Sequence, residues 1–258
     1  MLFSWLKRRR RRKLLAQPVP RSWPAILQRN LPFYATLSEP EQEELCNRIK
    51  IFEAEKNWEG CRGLEITDEI RITISAQACL LVLGRKDVHF DNVQSILVYP
   101  AKYYAESRRH TGGGIVYEGI EGRLGEAWYH GPVVLSWEDV QHGCFQPNDG
   151  VNVVYHEFAH QLDMQDGLIN GTPPLESPEQ YAQWRTVMTG EFEKLNRQSE
   201  RGAATLLDHY GTTDPAEFFA VATECFFEKP LAFRRRHPRL YNLLKDYFHQ
   251  DPAVRIKP

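Results

Sequence analysis

Residues 151–164 read VNVVYHEFAHQLDM and contain the pattern that decides the surrounding fold. His156 and His160 are four residues apart, so on an α-helix both imidazoles lie on one face and can reach one Zn²⁺. Glu157 is rotated by about 100° from His156, where its carboxylate can accept a proton from water activated by the metal. The apolar residues around the motif recur at helical spacing: Val153, Val154, Phe158, Ala159 and Leu162. We therefore expect a buried helix with two metal ligands, because the alternative of two core histidines leaves a buried glutamate without a partner.

The residues that follow the motif exclude a third ligand of the metzincin type. That pattern places a histidine six residues after the second histidine and a glycine midway, but this chain has Asp166 and Asp163 there. Asp163 follows His160 by three residues on the same helix face, where it could hold the other N–H of a ligand histidine. As a direct ligand Asp163 would strain a tetrahedron, because three successive turns of one straight helix would have to bind the same ion.

A later segment, 209–228, offers the third ligand that a catalytic zinc requires. It reads HYGTTDPAEFFAVATECFFE, in which Asp214 and Pro215 favour the start of a helix. Glu217 falls in the first turn among apolar residues and is the first candidate. Glu224 lies two turns further on nearly the same face and is either the reserve ligand or a carboxylate behind a ligand.

Two further features fit a site that acts on peptides. Tyr210 precedes Glu217 by seven residues, and its phenol could donate a hydrogen bond to an oxyanion. Taken alone, a packing role is the favoured interpretation of Tyr210, because the chain has eleven tyrosines. Strand 132–136, followed by Trp137, is either an edge strand that an extended peptide could join or an ordinary core strand.

The order of the predicted elements indicates the α+β class. Ser38, Pro40 and Glu41 mark a helix start with a capping box, and Gly150 precedes a block that is helical to the end. We predict helices at 38–56, 68–83, 151–164, 178–199, 215–228 and 238–249. Strands are predicted at 95–99, 114–118, 126–130 and 132–136, in a small antiparallel or mixed sheet. Strands in one block and helices in the next are typical of α+β proteins.

Composition favours a globular, intracellular protein. The 258 residues are 42% hydrophobic, and no stretch approaches the ~18 apolar residues of a membrane span. The five cysteines are widely spaced without a C-x-x-C pair, which argues against a disulfide framework or a thiolate metal site and fits a reducing cytoplasm. Outside the N-terminal basic run, 25 basic residues face 34 acidic ones, so direct nucleic-acid binding is not expected.

The N-terminal residues are predicted to form a separate segment. Residues 7–13 read KRRRRRK, and the short apolar stretches beside them fit neither a signal peptide nor a twin-arginine signal. We expect a basic, flexible tail at 1–20 and a single domain at 21–258, with Pro18, Pro20 and Pro24 marking the linker between them. An amphipathic contact of the tail with anionic lipid or an acidic partner is the less favoured alternative.

Three stretches together resemble the Mlc titration factor A family of bacterial zinc peptidases. They are VVYHEFAHQLDMQDG, HYGTTDPAEFFAVATECFF and DEIRITISAQACLLVL, and the match runs from about residue 20 to 250. The resemblance implies a gluzincin-like, zincin-type core similar to that of anthrax lethal factor. By the same resemblance His156, His160 and Glu217 bind one zinc per chain, Glu157 is the catalytic base, and Tyr210 is the assisting phenol.

The resemblance also implies two activities. One is aminopeptidase-type hydrolysis of short peptide substrates. The other is cytoplasmic binding to the repressor Mlc, which controls a glucose phosphotransferase gene. A zinc-dependent peptidase is therefore the leading hypothesis, and a non-catalytic protein that titrates the repressor and holds a structural metal is the alternative.

Overall fold

The computed structural model describes residues 2–85, 88–101 and 131–256. Within these residues the chain forms ten α-helices and three β-strands. The helices are α1 Leu2–Leu15, α2 Trp23–Asn30, α3 Glu39–Glu55, α4 Asp68–Leu81, α5 Trp137–Phe145, α6 Val153–Asp163, α7 Pro178–Glu200, α8 Pro215–Glu228, α9 Pro230–Arg236 and α10 Pro238–Phe248. The strands are β1 Asn57–Gly60, β2 Ser95–Tyr99 and β3 Val133–Ser136. This mixture of helices with a small sheet is consistent with the predicted α+β class.

The six predicted helices are confirmed, and their ends follow local capping signals. At α3 the predicted capping box is present, and the backbone N–H of Ser38 donates to Glu41 at 2.9 Å. At α6 the side chain of Asn152 caps the helix by accepting from the Tyr155 N–H at 3.0 Å. Both caps satisfy N–H groups that the first turn of a helix leaves without a partner.

The three strands form one parallel sheet in the order β1-β2-β3. Asn57 pairs with Ser95 at one side, and Ile96 pairs with Val133 at the other. Strands β2 and β3 confirm the predictions at 95–99 and 132–136, whereas β1 was not predicted because four residues with a half-buried pattern give little alternation. No antiparallel pair occurs within the described parts of the chain, and the predicted strands at 114–118 and 126–130 lie outside them.

Helix α4 crosses between β1 and β2, which is the connection that parallel pairing requires. Almost every side chain of α4 is buried, as expected from its continuous apolar sequence. Helix α6 packs against both α4 and α8, and it also contacts β3. An aromatic cluster formed by Phe52, Phe90 and Phe158 holds α3 and α6 together, with ring centroids 4.8–6.2 Å apart. This packing fixes the position of the helix that carries His156 and His160.

The N-terminal residues contain two helices that were not predicted. The proposed proline linker is wrong at Pro24, which lies in the first turn of α2, where its missing N–H has no cost. Trp23 and Leu27 anchor α2 in the core with 6% and 1% of their surface exposed. The basic run lies within α1, and the division into a tail at 1–20 and one domain at 21–258 stays a prediction.

Two other properties of the described residues bear on the sequence predictions. All five cysteines are free, in agreement with the absence of a disulfide framework. None of the described helices is long and apolar enough to cross a lipid bilayer.

Candidate metal centre

Helix α6 presents His156 and His160 on the face that points towards α8. The opposite face is fixed in the core, because Phe158, Ala159 and Leu162 are completely buried. Both histidines keep a small exposed fraction of their side chains, 16% and 13%. The helix therefore holds two imidazoles rigidly at the edge of the core, where small molecules can still reach them.

Helix α8 brings a carboxylate to the same place. Asp214 caps the helix by accepting from the Ala216 and Glu217 N–H groups at 2.8 and 3.0 Å, and Pro215 follows in the first turn. This places Glu217 at the third position of a firmly capped first turn. Its side chain is half-buried and faces the two histidines.

Close packing of a loop against α8 fixes the start of that helix. Gly171 has a φ of +72°, and a Cβ added there would lie 2.2 Å from the Pro215 carbonyl oxygen. Its own carbonyl accepts from the Trp184 indole N–H at 2.9 Å. A glycine is required here, because any side chain would push the loop away from α8.

Three potential ligand atoms converge between the two helices. His156 Nε2 lies 2.9 Å from Glu217 Oε2, His160 Nε2 lies 3.4 Å from the same oxygen, and the two Nε2 atoms are 3.3 Å apart. In a tetrahedral zinc site with bonds of about 2.0–2.1 Å, two ligand atoms are separated by about 3.3 Å. The three residues therefore fit a divalent cation with little movement, and they form the group most suited to a metal among the described residues.

The charges at this cluster also favour a cation. Burial lowers the pKa of His156, but hydrogen bonds to Glu217 and Glu224 outweigh that effect and raise it to about 10. Burial alone would raise the pKa of Glu217. Hydrogen bonds from His156 and His160 outweigh the effect of burial and hold the pKa of Glu217 far below its usual range. The carboxylates thus keep a positive charge on the imidazole, and a bound metal ion would replace that proton.

Glu224 lies on the other side of the His156 ring. Its Oε1 is 2.8 Å from His156 Nδ1, and its Oε2 accepts from the Asn152 N–H at 2.6 Å. Only 6% of the residue is exposed, and burial raises its pKa. Of the two candidate glutamates, Glu217 lies beside the Nε2 atoms of both histidines, whereas Glu224 contacts only Nδ1 of His156.

Asp163 does not hold a histidine, although its position on α6 suggested that role. Its Oδ2 accepts from the Asn170 and Gly171 N–H groups at 3.0 and 2.8 Å, so it anchors the loop that precedes α7. His160 Nδ1 is buried and has no hydrogen-bond partner among the residues that the structure describes. The carboxylate–histidine contact is made by Glu224 to His156 instead.

Tyr210 and Glu157 complete the surroundings of the cluster. The Tyr210 ring lies 5.9 Å from the His156 ring. Burial, together with the charge of Glu217, raises the pKa of Tyr210 to about 12, so the phenol keeps its proton at neutral pH. Glu157 is half-buried and has no hydrogen-bond partner within the described ranges, which leaves its carboxylate available as a proton acceptor.

Sequence reasoning missed a buried carboxylate beneath the site. Glu228 accepts from the Asn148 N–H at 2.9 Å and from the Asn152 side chain at 3.3 Å, and so supports the residue that caps α6. Burial raises its pKa to about 7. The signal was its position four residues after Glu224, on the same face of an otherwise apolar helix.

Comparison with known proteins identifies relatives over almost the whole chain. The profile of the family described as glucose-regulated metallo-peptidase M90 matches residues 5–249. An uncharacterized protein of Synechocystis sp. is 39% identical over 246 residues, which cover 95% of this chain and 90% of the relative. Two proteins named Mlc titration factor A are each 30% identical to this chain. The match to the protein of Yersinia enterocolitica covers 88% of this chain and 85% of the relative. The match to the protein of Cronobacter sakazakii covers 92% of this chain and 89% of the relative. The chain therefore belongs to the glucose-regulated metallo-peptidase family M90.

Proposed function

We propose that this protein is a zinc-dependent peptidase of the aminopeptidase type with a zincin-type core. The observation that carries the proposal is the convergence of His156 Nε2, His160 Nε2 and Glu217 Oε2, all within 3.4 Å of one another. Two nitrogen ligands and one carboxylate, with one position left for water or substrate, are the ligand set of a catalytic zinc. Membership of a metallopeptidase family supports this interpretation.

The proposed reaction assigns one role to each side chain around the cluster. Zinc held by these ligands would polarise the peptide carbonyl and lower the pKa of water in its open position to about 7. Glu157 takes a proton from the attacking water as the bond to the carbonyl carbon forms, and passes it to the amine as the C–N bond breaks. Tyr210 donates its hydroxyl hydrogen to the carbonyl oxygen as negative charge develops there.

Glu224 acts through His156 in this scheme. Because its Oε1 lies 2.8 Å from Nδ1, it fixes the Nδ1–H tautomer and leaves the Nε2 lone pair free for the metal. The Asn152 N–H holds the second carboxylate oxygen at 2.6 Å and so keeps Glu224 in place. Glu224 is thus a positioning residue and not a ligand.

An extended peptide would bind beside β3. This strand is at one end of the described sheet order and contacts α6, so a peptide paired with it would lie close to the metal cluster. Edge pairing supplies backbone hydrogen bonds without demanding a particular side-chain sequence. The activity is proposed to occur in the cytoplasm, which agrees with the five free thiols.

Metal analysis combined with peptide hydrolysis tests the peptidase proposal. Purified protein is expected to contain one zinc per chain and to cleave peptides with a free amino terminus faster than the same peptides with a blocked one. Removal of zinc with a chelator should abolish hydrolysis, and added zinc should restore it. Protein that holds one zinc yet cleaves neither peptide set would contradict the proposal.

A second candidate function is binding to the repressor Mlc. It is favoured by the name Mlc titration factor A of relatives that are 30% identical over most of this chain. In this alternative the metal is structural and the protein acts by sequestering the repressor. Titration of labelled Mlc with wild type and with Glu157→Gln separates the two, because equal affinity would mean that repressor binding does not depend on hydrolysis.

A further inference from the structure

Helix α1, Leu2–Leu15, has one face that is fixed to the rest of the protein. Lys7 forms an ion pair with Asp91 at 2.8 Å. Arg11 lies one turn further and bridges Glu55 and Asp91, both at 2.6 Å, with only 15% of its side chain exposed. These contacts hold α1 against α3 and therefore determine which residues of α1 point outwards.

The opposite face of α1 combines cations with exposed apolar side chains. At 100° per residue five side chains of residues 5–15 fall within about 120° of the helix circumference, centred roughly opposite Arg11. We call this the outer face, and it consists of Trp5, Leu6, Arg9, Arg12 and Lys13. Trp5 and Leu6 are 50% and 47% exposed. The Arg9 guanidinium lies 5.5 Å over the Trp5 ring, and Arg12 and Lys13 form no ion pair with any described residue.

We propose that the outer face of α1 binds the surface of a membrane containing anionic phospholipids. Helices that lie in the membrane interface carry Lys and Arg beside Trp and Leu, so that the cations meet the headgroups while the apolar side chains enter the acyl boundary. Tryptophan favours this depth in particular. The outer face has both components on one side of a helix that is already fixed in orientation.

The charge of the rest of the protein supports a lipid partner over a nucleic acid. Outside residues 7–13 the chain has 34 acidic and 25 basic residues, so the net charge of the rest of the protein is negative and opposes binding of a long phosphate chain. A soluble polyanion would neutralise the charges of Arg9, Arg12 and Lys13. It would leave the apolar side chains of Trp5 and Leu6 exposed to water. An anionic bilayer satisfies both kinds of side chain at once.

Vesicle co-sedimentation tests the proposal on the full chain. The vesicles contain phosphatidylcholine with about one third phosphatidylserine, or phosphatidylcholine alone, and the partition coefficient is measured at low and high salt. The test variant is Arg9→Ala/Arg12→Ala/Lys13→Ala, which leaves Lys7 and Arg11 in place and favours helix formation. The matched control is Arg234→Ala/Arg235→Ala/Arg236→Ala, which removes three exposed cations from α9 and changes the net charge equally.

The proposal predicts a specific pattern among these proteins. Wild type should bind the phosphatidylserine vesicles, and binding should weaken at high salt, because each cation near an anionic surface contributes about fivefold. The test variant should lose about a hundredfold in partition coefficient, and the α9 control should stay within about threefold of wild type. Trp5→Ala should also weaken binding, because it removes an interfacial anchor but no charge.

Three results would overturn the proposal. They are absence of binding to phosphatidylserine vesicles by wild type, equal losses in the two triple variants, and unchanged binding of Trp5→Ala. A single-stranded RNA oligonucleotide serves as the competing probe. If it binds wild type while the vesicles do not, the outer face is a nucleic-acid contact instead. Zinc content and circular dichroism of each variant establish that the protein is folded.

Discussion

Both ring nitrogens of His156 are engaged, Nε2 with Glu217 at 2.9 Å and Nδ1 with Glu224 at 2.8 Å. His160 contributes only Nε2 to the cluster, and Glu157 contributes nothing to the network of hydrogen bonds among the described residues. This division separates residues that would hold the metal from the one that would move protons. The two kinds of residue can therefore be distinguished by different measurements.

Replacement of Glu157 by Gln should separate metal binding from turnover. The amide keeps the size of the side chain but cannot accept a proton from water at neutral pH. We expect kcat to fall by about 10²–10⁴-fold while the zinc content stays at one per chain. The exposed carboxylate of Glu193 on α7 provides the matched control, since Glu193→Gln should change neither quantity. Wild-type rates in Glu157→Gln would remove Glu157 from the mechanism.

Glu228 is expected to make stability depend on pH. Its folded-state pKa of about 7 exceeds the value of about 4.3 for an unfolded chain, so the folded protein binds this proton more tightly. The stabilisation from the proton is complete below about pH 4 and is lost as the pH rises through 7. Glu228→Gln cannot ionise, so its unfolding free energy relative to wild type should increase by about 2 kcal/mol between pH 5 and 8.

Denaturant melts of both proteins at the two pH values provide this measurement. The difference in unfolding free energy between wild type and Glu228→Gln isolates the contribution of Glu228, because the other titrating groups are the same in both proteins. A constant difference across this range would mean that Glu228 is ionised throughout in the folded protein. The buried carboxylate would then be stabilised by Asn148 and Asn152 more strongly than its burial opposes it.

Helix α8 depends on the loop before α7 for its position. The Cβ of an alanine at Gly171 would lie 2.2 Å from the Pro215 carbonyl oxygen, so the loop or the helix would have to move. We expect Gly171→Ala to lower the unfolding free energy by about 3 kcal/mol and to weaken zinc binding, because Glu217 lies in the turn that would shift. Thermal melts and zinc titration measure the two effects.

Gly202 provides the control for this substitution. It also has a positive φ, +63°, but a Cβ there would meet no atom within 4 Å. Gly202→Ala should therefore cost only the backbone strain of about 1 kcal/mol and leave zinc affinity unchanged. If the two variants were equally destabilised, the contact with α8 would contribute nothing beyond the unfavourable φ.

Local signals explain why six of the ten described helices could be predicted and the sheet only partly. Asp214 and Pro215 mark the start of α8 in the sequence itself, and Ser38 with Glu41 does the same for α3. Strand β1 has no such signal, because the four residues from Asn57 gain their strand conformation from pairing with β2. Parallel pairing of this kind is a property of distant segments and leaves little trace in either one.

At the scale of the whole molecule, the candidate site was also predictable only where its geometry depends on residues close together in the sequence. The histidine pair was predictable, because both residues lie on one helix and their spacing sets their geometry. The contact between His156 and Glu217 joins residues 61 positions apart, and the sequence could offer only two candidate glutamates for it. The choice depends on how α6 and α8 cross, which is set by packing of their buried faces. Similarly, the contact of Glu224 with His156 follows from that crossing.

Because the cluster joins α6 to α8, removal of the metal should affect the stability of the whole protein. A cation bound to both helices stabilises only the folded state, and at a free concentration of about 100 times Kd it contributes about 2.7 kcal/mol. For a protein of this size that corresponds to a decrease in Tm of about 5–11 °C after chelation. His156→Ala, which lacks one ligand, should show a Tm that does not respond to zinc. A zinc-dependent Tm in that variant would place the ion elsewhere, since the remaining pair of His160 and Glu217 cannot hold it tightly.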